Sequence, residues 1–155
     1  MIEREYVITL EPRGKGRPVF TRATGSARTP ETTRAWEHEA AHQLRERHAS
    51  FTRGTVWTTL DDAAPLWEVE VRAYHRRPKT RPAYIPKAIW TDPTRRLFAT
   101  SRHDLDNVVK ITLDAMQIAG VIENDRCIVS IIAAGLYVMP GEEARVEVTM
   151  REVEW

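Results

Sequence analysis

Four ionisable side chains lie close together in the chain and have the types that bind a hard metal ion. Asp104, Asp106 and Lys110 fall within one short run, and Asp125 follows further along the chain. Magnesium prefers oxygen ligands and usually takes a few carboxylates together with water and substrate phosphate. A metal held in this way polarises a phosphoryl oxygen and activates a water molecule. These residues therefore favour metal-assisted hydrolysis of a phosphodiester.

The run is expected to lie on a helix from Leu105 to about Ala119, which Gly120 ends. The spacing of the apolar residues is that of one helical face. The apolar stripe consists of Leu105, Val108, Val109, Leu113 and Met116.

The acidic residues take defined places around this helix. Asp104 is expected in the entering turn, and Asp106 and Lys110 lie one turn apart beside the apolar stripe, with Asp114 peripheral on the same line. Because Asp125 begins the next strand, three carboxylates from two adjoining elements are expected to converge. A structural interpretation stays open, in which Asp104 caps the helix, Asp106 and Lys110 form a surface pair and Asp125 lies in a turn.

The charge is unevenly distributed, although the net charge is only +1. Residues 12–34 carry six basic side chains against one acid, and residues 72–102 carry nine against one. Such segments attract a polyanion through salt-sensitive contacts with phosphate. The alternative interpretation is that they are solvated loops without a nucleic-acid partner. The expected DNA contacts are Arg13, Lys15, Arg17, Arg22, Arg76, Arg77, Lys79 and Arg102.

The composition indicates one ordinary globular domain spanning residues 1–155. Of these residues, 42% are hydrophobic and 29% are charged, and no apolar run approaches the roughly 20 residues of a membrane helix. Cys127 is the single cysteine, which fits a reducing compartment. Together with an N-terminus unlike a signal peptide, this predicts a cytoplasmic protein without a membrane partner.

The remaining periodicities predict an α+β fold in which two main helices pack on a mixed β-sheet. A first helix begins at Thr29-Pro30-Glu31 and runs to about His48, burying Trp36, Ala40 and Leu44. Residues 11–28 and 76–102 are expected to be loops, and residues 61–65 a turn. The expected strands are Tyr6 to Leu10, Phe51 to Leu60, Leu66 to Tyr74, and a hairpin of Cys127 to Val138 and Glu143 to Val153 turning at Pro140-Gly141.

The segment Asp104-Leu105-Asp106-Asn107-Val108-Val109-Lys110, followed by Leu113-Asp114-Ala115 and Asp125, resembles the signature of the RusA family of Holliday junction resolvases. The basic run Pro12-Arg13-Gly14-Lys15-Gly16-Arg17-Pro18 is similar to the family's entry segment. The resemblance implies a RusA-like fold and a homodimer of a bacterium or phage. It also implies paired nicks in four-way DNA junctions during recombination and repair, with magnesium or manganese as cofactor.

Carried over residue by residue, the resemblance assigns the site. Asp104, Asp106 and Asp125 would be the catalytic metal-binding acids, and Lys110 would be the essential lysine. The family often has two adjacent acids where this chain has Asn124 before Asp125, so Asn124 cannot be an ionised ligand.

Two other functions remain open from the sequence. One is a DNA-binding module that recognises branched DNA without cutting it. The other is a zinc metallopeptidase, because His38-Glu39-Ala40-Ala41-His42 matches H-E-x-x-H and His48 follows at the spacing of a third ligand. Arg45 stands where the extended zinc motif has glycine, which favours continued helix and places His48 on a different face from His42.

Overall fold

A four-stranded mixed sheet supports the molecule and carries two long helices. The structure is a computed structural model that describes residues 2–22, 25–52, 65–99 and 104–153. The elements are β1 (Glu3–Ile8), β2 (Val19–Thr21), β3 (Ser26–Arg28), α1 (Glu31–Thr52), β4 (Leu66–His75), α2 (Lys87–Trp90), α3 (Leu105–Ala119), a one-turn 3-10 helix (Asp125–Cys127), β5 (Ile128–Tyr137) and β6 (Arg145–Val153).

The strand order in the sheet is β1-β6-β4-β5. β6 runs antiparallel to both of its neighbours, whereas β4 and β5 are parallel. One hydrophobic core joins apolar residues of this sheet to those of α1 and α3, including Ile8, Leu44, Val71, Met116 and Val148. The predicted α+β class, with two main helices on a mixed sheet, is confirmed.

The alternation predicted for β4 is confirmed. Trp67, Val69, Val71 and Ala73 are buried in the sheet interior. The intervening positions face solvent and join an ion-pair network across the strands. Its centre is Arg151 of β6, which contacts Glu3, Glu68 and Glu70.

The predicted hairpin of the last two strands is wrong. β5 pairs with β4, and β6 lies on the other side of β4, between β4 and β1. β6 alternates regularly and buries Val146, Val148 and Met150, so it suits a place inside the sheet. β5 is more exposed, with about half of Val129, Ile131 and Ile132 accessible, which suits an edge.

The first half of the chain also differs in detail from the expectation. β1 starts and ends earlier than predicted, and the basic loop 11–28 contains the short β2–β3 hairpin. Phe51 continues α1 instead of starting a strand. Residues 53–64, which include the rest of that predicted strand and most of the predicted turn, lie outside the described residues. The segment 76–102, which was predicted to be a loop, includes α2, a helix of one turn.

Both main helices follow the sequence signals. α1 buries Trp36, Ala40 and Leu44 as predicted. α3 has the predicted bounds, and Gly120 ends it with a φ of 74°, in the left-handed region that glycine adopts most easily. No helix in the described ranges combines the length and the apolar character needed to cross a bilayer.

Candidate active site

The start of α3 presents two carboxylates and a lysine to solvent. Asp104 is the N-cap residue, as predicted, and its carbonyl oxygen accepts hydrogen bonds from the Asn107 and Val108 amides at 3.0 and 3.2 Å. Its side chain makes no capping hydrogen bond. Asp106 lies in the first turn, where Lys110 Nζ is 3.3 Å from its Oδ2 atom.

The basic entry segment lies against this helix. The Lys15 amide donates to the Asn107 carbonyl oxygen at 3.1 Å, and the Lys15 ammonium pairs with Asp114. The Gly16 amide donates to Thr33 Oγ1 at 3.2 Å. A methyl group on Gly16 would lie 2.8 Å from that oxygen, so this close approach requires glycine. The segment is therefore fastened to both α1 and α3 near the two carboxylates.

Glu37 is a carboxylate beneath this contact that the sequence analysis did not single out. It is 8% exposed, and burial, followed by the charge of Asp114, raises its pKa, whereas Lys15 lowers it. Its helical spacing from Thr33 and Ala40, both buried, is the sequence signal that could have revealed it. Glu37 adds a third charged group to the junction between the basic segment and the helices.

Asp125 lies elsewhere. It begins the one-turn 3-10 helix that leads into β5. The Asn124 side chain caps this turn, because its Oδ1 atom accepts a hydrogen bond from the Arg126 amide at 2.9 Å. Cys127 lines the same pocket as Gly120, Val121 and Trp67. Asp125 therefore stays near the C-terminal end of α3.

Two lengths measure how far Asp125 lies from the other two acids. α3 has 15 residues and is about 22 Å long at 1.5 Å per residue. Its first residue, Leu105, lies against Gly135 of β5. A Cβ atom placed on Gly135 would be 3.9 Å from Leu105 Cδ1, which is an ordinary van der Waals contact. From Gly135 back to Ile128, β5 spans about 23 Å at roughly 3.3 Å per residue. The helix and the strand thus run in opposite directions and place Asp125 about 20 Å from the start of α3.

The expected convergence of three carboxylates is therefore not found within one chain. Asp104 and Asp106 are neighbours, whereas Asp125 is at the far end of the helix. Among the described residues, no group of three or more His, Cys, Asp or Glu side chains is placed to hold a metal ion.

The basic residues divide by their surroundings. Arg17, Arg22 and Lys79 are exposed. Arg13 donates to Thr32 Oγ1 at 2.9 Å and Arg76 pairs with Glu11 at 3.3 Å. Arg102 lies outside the described residues.

Arg77 is engaged within the protein. Its guanidinium donates to the carbonyl oxygens of Val138 and Trp90 at 3.2 and 3.1 Å and lies over the Trp90 ring. These contacts fasten the loop after β4 to the end of β5. The sequence could not reveal this, because the acceptors are backbone atoms distant in the chain.

The start of α1 adds basic groups that the list of DNA contacts omitted. Arg28, Arg34 and His38 line one surface pocket there, together with Thr29 and Glu31. The uneven charge of residues 12–34 was the signal for it. A helix N-terminus surrounded by arginines attracts phosphate.

The H-E-x-x-H segment lies on an uninterrupted part of α1. His42 Nε2 is 3.7 Å from Glu46, and Glu39 accepts a hydrogen bond from Gln43 at 3.0 Å, both on the exposed side. His48 instead bonds the Tyr6 hydroxyl at 2.9 Å, and burial lowers its pKa. The described residues thus do not assemble the three ligands of a zinc peptidase.

Comparison with protein-family models decides the family. The model of endodeoxyribonuclease RusA matches residues 9–151, nearly the whole chain. The chain belongs to the RusA family of endodeoxyribonucleases. The RusA match includes the start of α3, the basic entry segment and Asp125 together. No individual curated protein matches the chain.

The carboxylates of this RusA-family chain suit a magnesium or manganese ion in their donor type. Asp104, Asp106 and Asp125 offer only oxygen atoms, and all three are exposed. Magnesium keeps several waters and needs only one or two carboxylates besides substrate phosphate. The pair at the start of α3 therefore fits such an ion in chemistry, and Asp125 would have to reach it from elsewhere.

Proposed function

We propose that the protein is a metal-dependent endonuclease that resolves four-way DNA junctions by paired symmetric nicks. The observation that carries the proposal is the exposed Asp104, Asp106 and Lys110 group beside the basic entry segment, in a chain of an endodeoxyribonuclease family. The proposed setting is DNA recombination and repair in the cytoplasm of a bacterium or a phage-infected cell. A homodimer supplies one site for each of the two nicks.

The side chains take separate roles in this reaction. Asp104 and Asp106 would hold magnesium or manganese, with Asp125 reaching the ion from elsewhere, and the ion would supply polarisation of the scissile phosphate and activation of water. Lys110 is close enough to Asp106 to offset the repulsion among the carboxylates, and its ammonium contacts the scissile phosphate when DNA is bound. The arginines at the start of α1 and the exposed Arg17, Arg22 and Lys79 hold the DNA arms through phosphate.

The experiment that tests the proposal uses a synthetic four-way junction with end-labelled strands. With Mg²⁺ or Mn²⁺, we expect two nicks at symmetric positions in opposite strands, and EDTA should abolish both. Linear duplex of the same sequence is the control for structure selectivity. Cutting that persists in EDTA, or equal cutting of the duplex, would contradict the proposal.

One observation favours a second function, that of a non-catalytic module for branched DNA. The described residues of a single chain hold no group of three metal-binding side chains. Such a module would bind the junction with a steep salt dependence and leave it uncut in both Mg²⁺ and Mn²⁺. The junction experiment separates the two functions directly.

A further inference from the structure

Lys15 connects the basic entry segment to the helix that begins with Asp104 and Asp106. Its amide donates to the Asn107 carbonyl oxygen at 3.1 Å, in the first turn of α3, and its ammonium pairs with Asp114. Asn107 and Asp114 lie about two turns apart, so both face the same side of α3. Lys15 therefore holds α3 at two points, and the first of them is the residue next to Asp106.

The other polar contacts of this part of the chain go to α1. Three hydrogen bonds fasten the entry segment and the residue before it to α1, namely Trp36 to Glu11, Arg13 to Thr32 and Gly16 to Thr33. Among the described residues, both polar contacts between the segment and α3 come from Lys15. Lys15 is therefore the polar link that fixes the segment against the start of α3.

The Lys15 ammonium also faces a second, buried carboxylate. Glu37 of α1 is 8% exposed. Burial and then the charge of Asp114 raise its pKa, whereas Lys15, His38 and Arg34 lower it. Without the Lys15 ammonium, the carboxylates of Glu37 and Asp114 would repel each other across the contact between α1 and α3. Lys15 thus stabilises the junction at which the two helices and the segment meet.

The two neighbours of this link belong to different parts of the proposed site. Arg17, two residues after Lys15, is exposed and available to phosphate, and Asp106 precedes Asn107. The Lys15 ammonium is already engaged with Asp114. A displacement of about 1 Å between a bound substrate and the groups that act on it can cost about 100-fold in rate. A link between the phosphate-binding segment and the acids therefore matters for cutting.

We propose that Lys15 is a positioning residue, which holds the entry segment in register with the start of α3 through Asn107 and Asp114. The phosphate bound by the segment then meets Asp104 and Asp106. This inference rests on the proposed function for the use of the site. It assigns to Lys15 a role different from the DNA contact expected from the sequence, because its ammonium acts through α3 and not on phosphate.

The first experiment compares rate and affinity in Lys15→Met. With protein in excess over the labelled junction, the cutting rate at saturation should fall by up to about 100-fold. The slope of log affinity against log salt should stay unchanged, whereas Arg17→Ala should reduce it by roughly 0.9, the value for one lost phosphate contact. A slope reduced by that amount in Lys15→Met, or an unchanged rate at saturation, would overturn the proposal.

Arg45→Met is the matched control for loosening of the helix. The Arg45 guanidinium donates to the Ile118 carbonyl oxygen at 2.9 Å and so fastens α1 to the opposite end of α3. Its loss should leave the cutting rate at saturation unchanged, because this contact lies away from Asp104 and Asp106. An equal loss of rate in Arg45→Met and Lys15→Met would show that any loosening of α3 has the same effect, and would overturn the positioning role.

Asp114→Asn separates the two roles of Lys15 while keeping the lysine, and it also decides if Lys15→Met does not fold, as judged by circular dichroism. A positioning role predicts a lower cutting rate at saturation, because the ammonium loses its partner on α3. A phosphate contact predicts the opposite, since a released ammonium would bind DNA more tightly and leave the rate unchanged. This second result would overturn the proposal.

The exchanged ion pair tests rescue. Lys15→Glu combined with Asp114→Lys restores opposite charges between the segment and α3 and keeps a cation near Glu37. The double variant should therefore cut faster at saturation than Lys15→Glu alone. A double variant that cuts no faster than Lys15→Glu would contradict the link through Asp114.

Hydrogen exchange distinguishes failure of this inference from failure of the proposed function. A wild-type protein that cuts no junction would refute the proposed function, but exchange would still test the link. The amides of Lys15 and Gly16 are bonded in the folded protein and should exchange faster in Asp114→Asn than in the wild type or in Arg45→Met. Unchanged exchange in Asp114→Asn, in a protein that cuts, would refute only the positioning role.

Discussion

At the scale of single residues, the chemistry depends on which carboxylates are exposed. Asp106 is accessible beside Lys110, whereas Asp114 on the same side of the helix is already paired with Lys15. Each of the two acids pairs with a lysine, but the side chain of Asp106 is 66% exposed and that of Asp114 is 34% exposed, so Asp106 is the more accessible to a metal ion and its waters. The pairing with Lys15 supports the peripheral role expected for Asp114.

Asp106→Asn should reduce junction cutting by at least about 100-fold, since even the outer-shell partners of a metal contribute 10–100-fold. Junction binding should stay largely intact, because the phosphate contacts come from other residues. The surface pair with Lys110 contributes only about 0.3–0.5 kcal/mol, so the fold should be retained. Cutting is measured on the labelled junction, and binding by gel shift.

Glu39→Gln is the control for this variant. Glu39 is an exposed carboxylate on the H-E-x-x-H segment, and its loss should leave junction cutting unchanged. Equal loss in both variants would contradict a specific role for Asp106. Peptidase activity lost in Glu39→Gln would instead favour the zinc interpretation.

At the scale of elements, the segment 95–99 fastens the long basic loop to the sheet. Leu97 and Ala99 bond the end of β5, and Arg96 forms a two-point ion pair with Glu142 at 2.6 and 2.8 Å. The Arg96 guanidinium also lies over the Tyr74 ring. Ala99 and Leu105, the first residue of α3, both lie against Gly135 of β5, so this attachment and the start of α3 meet at the same part of the strand.

The ion pair predicts a pH dependence of stability. Hydrogen bonds from Arg96, and secondly from the Met139 amide, lower the pKa of Glu142 to about 2 from its ordinary 4.5. A lowered pKa in the folded state stabilises the protein above the unfolded value, and this contribution disappears as pH falls from 4.5 to about 2. Glu142→Gln should therefore lower the melting temperature at neutral pH, by an amount that shrinks over that interval.

Glu143→Gln is the matched control, since Glu143 is the exposed neighbour. Its melting temperature should follow that of the wild type at every pH. A Glu142→Gln deficit of the same size near neutral pH and at about pH 2.5 would show that the charge of Glu142 is not the cause.

At the scale of the whole molecule, the basic groups of the entry segment and of the start of α1 lie on one side of the fold. The entry segment is held between α1 and α3, and the arginines at the start of α1 lie beside it. The net charge of +1 conceals this arrangement, because acids elsewhere balance it, among them Glu3, Glu68 and Glu70 of the ion-pair network on the open face of the sheet.

Salt dependence distinguishes phosphate contacts from structural arginines. Arg17→Ala should weaken junction binding and reduce the slope of log affinity against log salt by roughly 0.9, the value for one lost phosphate contact. Arg77→Ala should leave that slope unchanged and destabilise the fold by about 1–3 kcal/mol, because carbonyl oxygens lose their donor. Binding is measured by fluorescence anisotropy at several salt concentrations, and stability by urea unfolding.

A reduced slope in Arg77→Ala would show that its guanidinium leaves its internal acceptors to contact DNA. An unchanged slope in Arg17→Ala would remove the entry segment from the DNA interface.

The sequence by itself determined what local forces decide. The bounds of α3, its apolar stripe and the glycine that ends it follow from helical periodicity and from the backbone freedom of glycine. The place of Asp104 and Asp106 at the helix start follows from the same helical pattern. The alternation of β4 follows from the two-residue period of a strand. These features depend on residues only a few positions apart.

Only the tertiary structure decided the neighbours of β5 and β6 and the distance from Asp125 to the other acids. Alternation shows which side of a strand is buried, but it does not name the strand beside it, because any apolar strand can satisfy the same backbone hydrogen bonds. The insertion of β6 between β1 and β4 leaves β5 at the edge. α3 runs opposite to β5, so Asp125 and Asp106 are near in sequence and far apart in space.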